Sequence, residues 1–77
     1  MIEKAVQLLA TGNWSAAHKM VQEDASPLGY WAHGIVHMQE GDMENARYWY
    51  RKAKRAFPGT NDLEAELVAI QHAIKGR

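Results

Sequence analysis

The chain has 77 residues, with nine acidic and nine basic side chains, four histidines and no cysteine. That length suits one small domain with a limited core, and the missing cysteine excludes both a disulfide framework and a cysteine zinc site. The balanced charge singles out no class of partner, and no apolar run approaches the roughly 20 residues that a membrane span needs.

The opening residues lack a basic segment followed by a long apolar run, so no signal peptide is expected and a cytoplasmic location is. Valine, isoleucine and threonine are sparse, whereas alanine, glutamate, glutamine, lysine and arginine are common, which favours helix throughout. The first helix is expected over about Ile2 to Ala10. Ile2, Val6 and Leu9 form an apolar stripe at helical spacing, with Ala5 and Leu8 beside it, and Gly12 ends the helix. Asn13 caps a second helix from about Trp14 to Glu23, with Trp14, Ala17, Met20 and Val21 on its inner face. Ser26-Pro27 opens a third helix that runs to about Gln39, serine as N-cap and proline at the first helical position. Gly34 lies mid-helix, where glycine costs about 1 kcal/mol against alanine, so a close approach by a neighbouring helix is expected there.

Gly41-Asp42 is the next turn. A fourth helix is expected from about Met43 to Phe57, with Met43, Ala46, Tyr50, Ala53 and Phe57 on one face and Pro58-Gly59 as its stop. The fifth starts at Asn61, with Glu64 three residues on as in a capping box. Leu63, Leu67, Ile70 and Ile74 form its apolar face, and Glu64, Glu66, Gln71 and Lys75 its outer one.

Between Pro27 and Thr60 the spacing reads Tyr30-x2-His33-Gly34-x2-His37, then Ala46-x3-Tyr50, then Pro58. This stretch resembles the tetratricopeptide repeat, whose pattern is Trp-x2-Leu-Gly-x2-Tyr, Ala-x3-Phe, Pro over 34 residues. The departures are His33 for leucine and His37 for tyrosine. Gly12-Asn13 and Ala17-x3-Val21 precede Gly41-Asp42 and Ala46-x3-Tyr50 by 29 residues, so residues 1–26 resemble a degenerate first copy. The resemblance implies an all-α domain of five helices in an antiparallel, right-handed stack. Residues 1–26 and 27–60 would be its repeats, and 61–75 a closing helix that shields the last one. It also implies a non-enzymatic scaffold that binds a protein or peptide on the concave surface of the first helix of each pair. By the matched spacing, those positions are Leu28, Trp31, Ile35, Met38 and Gln39. They hold none of the Lys, Arg or Asn with which members of the family clamp a C-terminal carboxylate. Apolar stripes at helical spacing are usually core, so Trp31, Ile35 and Met38 are more readily read as packing under the first and fifth helices. The run EGDMENARYWYRKA is also similar to a stretch of uncharacterised bacterial proteins with a similar His-x3-His, which implies a bacterial source.

Two constellations compete with the scaffold reading. His33-x3-His37, with Glu40 three residues on, could chelate a divalent metal or carry catalysis, because histidines one turn apart share a helix face. Gly34, however, stands where zincins place their glutamate. The repeat spacing puts both histidines against the fourth helix near Ala46 and Tyr50, bonded to tyrosine hydroxyls or to a carboxylate, so no metal or cofactor is expected. The fourth helix offers Arg47, Arg51, Lys52, Lys54 and Arg55 interleaved with Tyr48, Trp49 and Tyr50, a pattern that could meet phosphates and bases. Zero net charge and the lack of a nucleic-acid motif argue against that partner. Trp49 lies off the inner face, so it packs on the fifth helix or marks an outer patch. Two repeats leave apolar surface on the first and third helices, so a homodimer or a partner is expected to cover it.

Overall fold

The computed structural model describes residues 1–77, the side chain of Thr60 excepted. Its five α-helices are α1 (Ile2–Ala10), α2 (Trp14–Val21), α3 (Pro27–Glu40), α4 (Met43–Lys52) and α5 (Leu63–Lys75), with one 3-10 turn at Thr60–Asp62. There is no strand among the described residues. No described helix is long and apolar enough to cross a membrane.

The α1–α2 and α3–α4 corners are built alike. Gly12 adopts φ +82° after α1, donating its N–H to the Leu9 carbonyl while Asn13 donates to Leu8. Gly41 adopts φ +95° after α3, donating to Met38 while Asp42 donates to His37. Each corner satisfies the last carbonyls of its helix through a left-handed residue, which glycine enters without steric cost. The next residue then caps the following helix: Asn13 accepts from the Ala16 N–H at 3.3 Å, and Asp42 from the Asn45 N–H at 3.2 Å. Ser26 caps α3 as expected, accepting from the Gly29 N–H at 3.0 Å.

Three expected boundaries are corrected. α2 ends at Val21, short of Glu23, and Asp24 turns its carboxylate to the Ser26 N–H. α4 ends at Lys52, not Phe57, because Lys54 turns left-handed at φ +61° and Arg55 donates to the Tyr50 carbonyl. The physical reason is Phe57. Seven residues beyond Tyr50 on a straight helix it would stand about 10 Å away along the axis. In the folded chain their ring centroids are 5.5 Å apart, at 86°. The Asn61–Glu64 capping box is not formed: the chain enters α5 through the 3-10 turn, and Asp62 precedes the helix without a side-chain cap.

α3 is the axis of the molecule and packs against α1, α2, α4 and α5. Its residues from Trp31 to Met38 are all buried, as a helix enclosed on every side must be. α5 packs on both α3 and α1, so it closes the bundle over the side of α3 that carries Trp31. Arg77 pairs with Glu3 and ties the two ends together. Gly34 meets α4 where the sequence asked for a close approach: a Cβ there would stand 2.5 Å from Tyr50 Cδ1.

Candidate functional site

The apolar strip expected to bind a partner is covered by the chain itself. Trp31, Ile35 and Met38 are buried, at 3%, 0% and 5% exposure, and Leu28 is half-buried. Gln39 does not face a ligand; its Nε2 donates to the Leu9 carbonyl of α1 at 2.6 Å, and its buried Oε1 has no partner among the described residues. The cover is α5. Its Glu66, assigned to the outer face by sequence, turns inward, and one oxygen accepts from Trp31 Nε1 at 3.0 Å and from Tyr50 Oη at 2.7 Å. Burial and this carboxylate push the Tyr50 hydroxyl far above its ordinary range, so it remains a donor. Arg55 lies 3.4 Å over the Trp31 ring and closes the remaining face.

His33 lies against the fourth helix through Trp49, and both α3 histidines also meet a third, His18, on α2. The His33 and His37 rings stack at 5.0 Å, and His18 approaches their edges at 4.9 and 5.4 Å. One nitrogen from each of the three lies within 4.8 Å of the others, a spread that a single ion could gather. His33 and His37 are buried and His18 is half-buried. His37 Nδ1 is 2.7 Å from Glu40 Oε1, so the carboxylate part of the expectation holds, while the Tyr50 hydroxyl donates to Glu66 instead. The Trp49 indole stacks on His33 at 3.8 Å and 10° and also meets the Tyr30 and Tyr48 rings. Trp49 is thus neither packed on α5 nor isolated on the surface. His33 is held down at about pKa 4, mainly because burial disfavours its charged form and next because His37 and His18 would repel it. His18 escaped the sequence reading because it lies on another element; the available signal was its position directly after the packed Ala17.

The basic residues after Ala46 do not form one stripe. Arg47 stacks over Phe57, Arg55 over Trp31, and Lys52 over Tyr30, Tyr48 and Trp49 on the opposite side. Arg51 and Lys54 are exposed.

The chain matches no family model, no curated protein and no solved structure. The resemblance to the tetratricopeptide repeat therefore rests on the spacing of its own residues.

Proposed function

We propose that this chain is a non-enzymatic helical binding module of the tetratricopeptide type, whose groove beside α3 holds an amphipathic helix of a protein partner. The observation that supports this reading is α5. An amphipathic helix sits against α1 and α3, places Ile70 in the core, and presents a carboxylate to Trp31 Nε1 and Tyr50 Oη. A groove that holds such a helix in cis can hold one in trans with the same pattern: apolar residues at i, i+4 and i+7 and one inward carboxylate. The residues on the groove side would be Trp31, Ile35 and Met38, with Leu28 at the rim; Gln39 braces α1.

The partner has to compete with the tethered helix. A short tether gives α5 an effective concentration on the order of millimolar, and apparent affinity for a free helix is reduced by the fraction of chains that are open. The test uses a labelled peptide of residues 61–77, titrated by fluorescence anisotropy with the wild-type chain and with a Leu67→Ala, Ile74→Ala variant. Both positions are half-buried, so the variant loosens α5 without emptying the core. The variant is expected to bind the peptide at least about tenfold more tightly than wild type. No binding by a variant that keeps its helical circular dichroism would refute the groove reading.

A further inference from the structure

We propose that His18, His33 and His37 bind one divalent transition-metal ion of the zinc class, on a site that α2 and α3 form together. A tetrahedral ion with metal–nitrogen bonds of about 2.0–2.1 Å needs ligand nitrogens about 3.3 Å apart. The three nitrogens already lie within 4.8 Å of one another, so closing the set takes about 1.5 Å at most between any pair. The positions follow from the sequence. His33 and His37 stand one turn apart on α3 and point the same way, and Ala17 beside His18 is fully buried, bringing that part of α2 onto the core.

The surroundings suit ligation. Glu40 takes the Nδ1 side of His37, which leaves Nε2 with its lone pair free and orients the ring, the usual arrangement of a carboxylate behind a metal-binding imidazole. Trp49 stacked on His33 fixes that ring's plane. Among the described residues only His37 of the three has a hydrogen-bond partner for its ring, which leaves nitrogens of His18 and His33 free to ligate.

A second group, His37 with Glu40 and Asp42, also brings ligand atoms within 4.8 Å. It is the weaker candidate, because Glu40 already bonds His37 and Asp42 caps α4. The ligand set selects the ion. Neutral nitrogen donors without thiolate suit Zn²⁺, Co²⁺, Ni²⁺ or Cu²⁺, whereas Mg²⁺ and Ca²⁺ require oxygens. Three protein ligands leave a tetrahedral ion one position for water.

The test is isothermal titration of the chelator-treated full chain with Zn²⁺, and with Co²⁺ to read the coordination from its visible absorption. One ion per chain with micromolar or tighter affinity is expected, with the intense visible bands of a tetrahedral or five-coordinate cobalt site. His18→Ala, a half-exposed position where folding should persist, is expected to weaken binding at least about 100-fold, and Glu40→Gln about 10-fold. His72→Ala removes the remaining histidine, on the exposed side of α5, and should change nothing. No heat and no cobalt bands with folded wild type would overturn the proposal. So would binding that survives His18→Ala but is lost in Asp42→Asn, because the ion would then sit on the second group.

Discussion

Gly34 and His33 occupy neighbouring positions on α3, and both lie against α4, Gly34 at Tyr50 and His33 at Trp49. At Gly34 a Cβ would meet Tyr50 Cδ1 and Cε1 at 2.5 and 2.7 Å, and Tyr50 is fully buried and cannot swing away. Gly34→Ala gains up to about 1 kcal/mol in helix propensity, but the overpacking costs about 1–3 kcal/mol, so net destabilisation is expected in urea unfolding. A more stable alanine variant would mean that α4 can shift at no cost. At His33 the sign of the pH effect follows from burial. The unfolded ring takes a proton near its ordinary 6.5, and the folded ring only near 4. The stability that the neutral ring contributes is complete above pH 6.5 and is lost as pH falls from there through 4. His18, His37 and Glu40 are the ionisable groups around it, so the contrast to measure is with His33→Leu. In the metal-free protein the urea midpoint of wild type should fall more steeply between about pH 7 and 4 than that of the variant. Parallel curves would remove His33 as the source. Both histidines on α3 were visible in the sequence; their neighbour His18 was not, because a convergence of two helices leaves no trace in the spacing of either.

The ends of α4 and α5 show how elements yield to contacts. Lys54 holds φ +61° where glycine would be comfortable, and the left-handed region costs a side-chain-bearing residue about 1–2 kcal/mol. Lys54→Gly is therefore expected to stabilise the chain by about 0.5–1 kcal/mol, after allowing for glycine's greater freedom when unfolded. An unchanged or lower melting temperature would show that the corner carries no strain. Gly12 and Gly41 announced their corners by residue type, whereas Lys54 gave no such signal; the corner there is imposed by Phe57 returning to Tyr50 and Arg55 covering Trp31. α5 depends on Glu66. Glu66→Leu leaves Trp31 Nε1 and Tyr50 Oη without their acceptor in a part-buried site, which should cost about 2 kcal/mol of stability. If denaturation of this variant matches wild type, the inward carboxylate contributes nothing net.

At the scale of the whole molecule, α5 changes the expectation of assembly. The apolar residues offered as a dimer surface, Ile2, Val6, Leu9, Trp31, Ile35 and Met38, are all buried within one chain. Among the described residues the large exposed hydrophobics are Met1, Tyr48 and Val68, too scattered to form an interface core. Light scattering across a concentration series is expected to give the monomer mass, 8.7 kDa. A dimer mass that persists on dilution would require a surface other than the α3 strip.

The sequence by itself determined the helices, their N-caps at Asn13, Ser26 and Asp42, the two glycine corners and the close contact at Gly34. These are local: a cap reads three residues ahead, a left-handed corner needs one glycine, and a stripe needs only its own period. Only the tertiary structure decided where α5 returns, which face Glu66 shows and which three histidines meet. Each of those depends on packing between elements distant in the chain, and a side chain's partner across a helix interface is set by the angle and register of both helices, which neither helix encodes alone.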